Sequence, residues 1–121
     1  MGRRGGIFSV DFSADGKMIA TAGTEGLNLW NAETGELIRS VRRLSTPSEV
    51  RFAPERHLVT TGCQDGTIQK WDTRTGECVE TLTGHVGLVF ALCYTSGGDI
   101  VSGSYDQSVR VWKKGHQTRF T

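Results

Sequence analysis

Apolar residues in this chain come in short runs of about strand length, partly alternating with polar ones and broken by glycine-rich polar turns. Ile7–Ser13 alternates, with Ile7, Val10 and Phe12 as candidate core positions. The turn Ala14-Asp15-Gly16-Lys17 leads into Met18–Gly23, and Thr24-Glu25-Gly26 leads into Leu27–Asn31. Ala32–Glu36 then turns the chain, with Gly35 free to take positive φ, into a fourth run, Leu37–Arg43. The same order follows at Glu49–Ala53, His57–Cys63, Thr67–Asp72 and Cys78–Thr83. It starts again at Leu88–Thr95, Asp99–Ser104 and Ser108–Lys113. Strand-sized runs with a turn signal roughly every 8–12 residues predict an all-β chain. No segment sustains the 3.6-residue apolar period of a helix.

The pattern repeats. Trp30, Trp71 and Trp112 are spaced by 41 residues each. Thr34-Gly35-Glu36 recurs as Thr75-Gly76-Glu77, and Phe12, Phe52 and Tyr94 stand at steps of 40 and 42. Glu25-Gly26 matches Asp65-Gly66 with a slip of one residue, and Asp106-Gln107 follows 41 residues later. A four-stranded unit cannot bury both faces alone, so the copies are expected to stack face to face.

Composition narrows the functional classes. Of 121 residues, 14 are basic and 13 acidic, a net charge of +1. That is no footprint for nucleic acid or an anionic membrane, and Arg3-Arg4 and Lys113-Lys114 are too few to change it. The cysteines Cys63, Cys78 and Cys93 form neither a disulfide framework nor a C-x-x-C pair, as in a reducing, intracellular setting. No apolar run reaches membrane-spanning length, and the first residues lack the apolar stretch of a secretory signal. The expected location is therefore the cytoplasm or nucleus. No phosphate-binding loop, nucleophile elbow or H-E-x-x-H motif is present, and His57 and His116 have no partner at metal-ligand spacing. No enzyme activity, cofactor or metal is expected. Arg42-Arg43-Leu44-Ser45 is similar to a basophilic kinase site, with Ser45 as the acceptor, although so short a motif is more often a solvated loop.

The third copy, with Gly84-His85, a strand, a glycine-rich turn, Ser102-Gly103-Ser104-Tyr105-Asp106 and a strand reaching Trp112, resembles the WD-repeat family of β-propellers. The second copy carries that family's Trp-Asp pair at Trp71-Asp72. The resemblance covers about Ile7 to Trp112 and implies three consecutive four-stranded antiparallel blades. Their ranges are about 7–43, 49–83 and 88–121. It also implies a structural hydrogen-bonded tetrad of His85, Ser102, Asp106 and Trp112. The second copy keeps Thr61, Asp65 and Trp71, but Leu44 stands near the histidine position. The first keeps only Trp30, with Ala20 and Thr24 in the serine and aspartate places, so blade one is expected to be the least stable.

Propellers close with about 4 to 8 blades, so three leave the ring open. By offset, the last outer strand should begin at Arg119, two residues before Thr121, so the third blade is expected to be cut short. Two explanations stand: a fragment whose further blades lie in a longer chain, or head-to-tail self-association, two chains giving six blades. The resemblance implies a non-catalytic scaffold that binds proteins or peptides on the narrow propeller face. By offset, the contact positions are Leu88, Phe90 and Tyr105 in the third copy. They are Thr46, Ser48 and Gln64 in the second, and Gly6, Phe8 and Gly23 in the first. Phe8, Phe90 and Tyr105 give this set an aromatic character suited to an interface. The alternative is a small-ligand or catalytic propeller with its site at the central channel.

Overall fold

A computed structural model describes residues 6–42, 45–113 and 116–120, the last stretch by its backbone. It is all-β: no helix occurs among the described residues. The first sheet takes β1 (Ile7–Phe12), β2 (Met18–Gly23), β3 (Gly26–Asn31) and β4 (Leu37–Val41). The second takes β5 (Pro47–Phe52), β6 (Leu58–Cys63), β7 (Ile68–Asp72) and β8 (Cys78–Leu82). The third takes β9 (Val89–Tyr94), β10 (Ile100–Ser104), β11 (Val109–Lys113) and β12 (His116–Phe120). Each is an antiparallel meander in chain order, and the three blades do not close a ring.

The third blade is complete, which corrects the expectation of a truncated one. β12 pairs with β11 from Val109↔Phe120 to Lys113↔His116. That register leaves only residues 114 and 115 between the strands. Blades one and two instead use the longer Asn31–Glu36 and Asp72–Glu77 turns, closed by backbone hydrogen bonds of 2.8 and 2.9 Å. Projecting that longer turn onto the third copy placed the strand three residues too late.

Two junctions hold the blades together. Ala20, Ala22, Leu27, Leu29 and Val41 of blade one pack on Val50, Val59 and Trp71 of blade two. Ile68 and Leu82 of blade two meet Val89, Leu92, Tyr94, Ile100 and Trp112 of blade three. Each fully buried Leu, Ile or Val here stabilises the stack by roughly 1.5–3 kcal/mol. Polar bonds set the register between inner strands. The Ser9 hydroxyl donates to Glu49 and accepts the Val50 N–H at 3.2 Å, and the Asp11 carboxylate accepts the Phe52 N–H at 2.8 Å. At the second junction Thr60 Oγ1 and Tyr94 Oη lie 2.5 Å apart. Burial pushes the Tyr94 phenol up to about 12 despite that bond, so it stays neutral between the sheets. Gly62 allows the close approach: a Cβ there would meet Val89 Cγ1 at 2.6 Å.

Ile7, Val10 and Phe12 are not core. Val10 is 57% and Phe12 60% exposed, and Ile7 is exposed as well. β1 turns Ser9 and Asp11 toward blade two, so its apolar residues face away from the stack.

Candidate functional site

The three tryptophans share one construction. In register, Ile19 faces Trp30, Val59 faces Trp71 and Ile100 faces Trp112. Side chains alternate along a strand, so the residue two positions beyond the facing one shares its side of the sheet. That residue is Thr21, Thr61 or Ser102, and its hydroxyl accepts the indole N–H at 3.0, 3.0 and 2.8 Å respectively. Blade one therefore does have a hydroxyl partner, and it is Thr21, not the Ala20 that a rigid 41-residue step selects. Its β2–β3 turn is one residue shorter, which was visible as the slip at Glu25-Gly26.

Among the described residues, blade three alone extends the arrangement through a histidine and an aspartate. His85 Nε2 lies 2.7 Å from Ser102 Oγ, and Nδ1 lies 3.0 Å from Asp106 Oδ2. With Nδ1 protonated toward the carboxylate, Ser102 donates to Nε2 and accepts from the indole. Asp106 also accepts from the Val86 N–H at 3.1 Å, the Ser108 N–H at 2.9 Å and the Ser108 hydroxyl at 2.6 Å. Burial by itself pushes the Asp106 carboxyl up, but the bonds from Ser108, His85 and the Val86 N–H outweigh it. The group sits well below the usual carboxylate range. Ser108 was absent from the sequence reading, although a hydroxyl two residues after a turn aspartate is a recognisable signal. In blade two Asp65 accepts within its own turn, from the Thr67 N–H and hydroxyl at 3.0 and 2.6 Å. The position near Leu44 lies outside the described residues.

His85, Ser102 and Asp106 have the composition of a catalytic triad but not its access. Ser102 is buried within β10, and its oxygen already holds both the imidazole and the indole. A nucleophile must meet substrate in a pocket. No group of three metal-ligating side chains occurs among the described residues.

The narrow face above this network is built by bulges. Each inner strand has one extra residue opposite the second strand: Phe8, Ser48 and Phe90. A bulge re-aims its side chain. Ser48 turns inward and donates to the carbonyls of Gly62 and Val89 at 3.1 and 2.5 Å. Phe90 stays 49% exposed and lies against Tyr105, itself 72% exposed, with ring centroids 5.2 Å apart. Tyr105 is fixed through its N–H, which donates to the Leu88 carbonyl at 3.0 Å. The same bond joins Gln64 to Thr46 and Thr24 to Gly6, so blade one's counterpart of Tyr105 is Thr24 rather than Gly23. Leu88 is half-buried, Gln64 exposed and Phe8 half-exposed. The bulge between those of Phe8 and Phe90 carries Ser48, so the aromatic pair belongs to blade three alone. Val86 extends it; at 88% exposed it follows His85 in the same loop and went unnoticed in the sequence. Ser45 is half-buried, and its hydroxyl accepts the Asp65 N–H at 3.3 Å. Arg42 pairs with Glu25 at 3.2 Å, while Arg43 and Leu44 of that motif lie outside the described residues.

A cleft of about 1000 Å³ lies elsewhere, between blades two and three over Leu58, Leu82, Ile100 and Trp112. Its lysines are already paired, Lys70 with Glu80 at 3.3 Å and Lys113 with Asp99 at 3.2 Å.

Stacked four-stranded meanders, each tied by a tryptophan–hydroxyl bond, with one histidine–aspartate extension, define a β-propeller repeat protein. The family model for the WD domain, G-beta repeat, matches residues 2–31, 35–72 and 76–113, and the chain belongs to that family. It is 32% identical over 113 residues, 92% of its length, to U3 small nucleolar RNA-associated protein 12 of Saccharomyces cerevisiae. It is 32% identical over 115 residues, 90% of its length, to WD repeat-containing protein 37 of Mus musculus. Against human pre-mRNA-processing factor 17 it is 32% identical over 105 residues, 84% of its length. The chain spans only 12%, 23% and 18% of those three proteins.

Proposed function

We propose that this chain is a non-catalytic interaction scaffold that binds a protein or peptide on the narrow face of blade three. The observation that carries this reading is the exposed Phe90–Tyr105 pair, set on a bulge and flanked by Val86 and Leu88. Clustered exposed aromatics over a rigid support are typical of interface hot spots. The support is the His85–Asp106 network, which fixes the loop carrying Val86 and the turn carrying Tyr105. The near-balanced charge favours a protein partner over direct contact with nucleic acid. We place the scaffold in an intracellular, multi-protein setting. The names of the yeast nucleolar and human pre-mRNA-processing relatives support that setting and favour the nucleus.

The test is a double variant, F90S/Y105S, used as bait beside the native chain in affinity capture from cell extract. Proteins retained specifically by the native chain should be lost, while the melting temperature stays within a few degrees. Retention of the same proteins would falsify the assignment of this face.

A further inference from the structure

The two junctions between blades end differently at their outer side. At the first, Arg39 of β4 reaches across to blade two. Its guanidinium donates to the carbonyls of Arg74 and Thr75 at 2.7 and 3.2 Å. Its stem lies on the same turn, where a Cβ on Gly76 would meet Arg39 Cδ at 3.0 Å. One repeat later, Glu80 stands in the place of Arg39: in register Arg39 faces Leu29, and Glu80 faces Lys70. Glu80 turns back to Lys70 of its own blade, at 3.3 Å. Blade three also has only two residues between β11 and β12, where blade two has the longer turn that holds Arg39. The cleft of about 1000 Å³ opens at this second place, lined by both Lys70 and Glu80.

The chemistry of the cleft suits the group that fills the first junction. Leu58 and Leu82 of blade two and Ile100 and Trp112 of blade three give it apolar surface. Around them stand three carboxylates, Glu55, Glu80 and Asp99, against the two ammonium groups of Lys70 and Lys113. The lysines pair with Glu80 and Asp99, which leaves the Glu55 carboxylate in excess. That negative charge reaches into the junction. Burial is the first cause of the raised Tyr94 phenol, and the Glu55 and Glu80 carboxylates push it the same way.

We propose that this cleft takes up an arginine side chain from an extended basic segment of a partner protein. The stem lies over Leu58, Leu82 and Trp112, and the guanidinium meets the carboxylates of Glu80 and Glu55. A planar fork bonds two acceptors at once, as Arg39 does with two carbonyls, and it is more weakly hydrated than an ammonium group. Glu80 is half exposed, and an exposed ion pair holds weakly, so its carboxylate turns from Lys70 to the newcomer at little cost. Asp99 and Ile100 lie at the end of β10 opposite Tyr105, so this surface is separate from the narrow face.

A nuclear magnetic resonance titration of the isotope-labelled chain tests this, with a short glycine–serine peptide carrying two arginines as the probe. The amide signals of Leu82, Asp99 and Lys113 and the Trp112 indole signal should move, while those of Phe90 and Tyr105 stay. The same peptide with lysines should bind about fivefold more weakly, because an ammonium group lacks the fork. Glu80→Gln, which keeps the shape and removes the charge, should weaken binding about threefold. Glu80→Arg supplies from within the guanidinium that the first junction already has, and should weaken binding by about tenfold or more. The F90S/Y105S chain should bind the peptide as the native chain does, so failure here and failure of the narrow-face reading are told apart. No movement of these signals at millimolar peptide overturns the proposal. Equal affinity for the lysine peptide overturns it too, since that is unselective charge attraction. Undiminished binding by both Glu80 variants overturns the placement in this cleft.

Discussion

Blade one and blade three have the same four strands, the same bulge and the same tryptophan–hydroxyl bond, yet they are built to different depths. Trp112 is buried against blade two and rests on Ser102, which rests on His85, which rests on Asp106. Trp30 is only half-buried, and its hydroxyl partner Thr21 stands opposite Asn28 rather than beneath an imidazole. The difference shows what the repeat requires and what is optional. A hydroxyl two residues from the position facing the tryptophan is kept in all three blades. The histidine–aspartate extension is present where a loop and a turn must be held rigid, and that is where the exposed aromatic pair sits.

The comparison breaks most visibly at the tryptophans. Trp112→Ala should cost about 3–5 kcal/mol in chemical denaturation, the range for emptying a buried aromatic site. Trp30→Ala should cost no more than about 2 kcal/mol, since much of that ring already faces solvent. Equal costs would mean that the two blades are equivalent and that the deeper network adds nothing.

A smaller effect is expected inside the network. His85→Ala leaves Ser102 and Asp106 each short of a buried partner, a loss of about 1–3 kcal/mol. Thr21→Val removes one indole bond from blade one and should cost about 1 kcal/mol. Circular dichroism melts of the two variants side by side would show the order.

Acid sharpens the contrast further. The folded Asp106 carboxyl is held below its ordinary value, so its contribution is fully present above the unfolded carboxylate pKa, about 3.9. That contribution fades as pH falls below that point toward the folded value. Stability followed from pH 7 to pH 3 should therefore be flat from this source until about pH 4 and then drop. Asp106→Asn should be less stable at neutral pH and show a shallower acid limb. A native-like acid limb in that variant would remove Asp106 from the account. The smallest effect belongs to the surface: Tyr105→Ser should change stability by less than about 0.5 kcal/mol, the usual range for exposed sites.

Much of the fold was readable because β-structure with a 41-residue step leaves a regular trace in turn glycines and tryptophans. The errors have a common physical origin. A rigid step assumes turns of constant length. The short β2–β3 turn moved the hydroxyl from Ala20 to Thr21 and the Tyr105 counterpart from Gly23 to Thr24. The two-residue β11–β12 connection brought the last strand forward from Arg119 to His116. Alternation marks one side of a strand but not which side meets a neighbour, so Val10 and Phe12 read as core although Ser9 and Asp11 face blade two. Within the site, His85, Ser102, Asp106 and Trp112 were legible from motif spacing. The isolation of Phe90 and Tyr105 from Phe8 was not, because it depends on the inward turn of Ser48.

Hydrogen exchange resolved by strand tests the central contrast most directly. The two second strands, β2 (Met18–Gly23) and β10 (Ile100–Ser104), are matched in length to within one residue and in place within their sheets. The account predicts that β10 amides exchange at least tenfold more slowly than those of β2, and that His85→Ala brings the two together. Equal protection in the native chain, or a His85→Ala variant whose β10 exchanges as slowly as before, would contradict it.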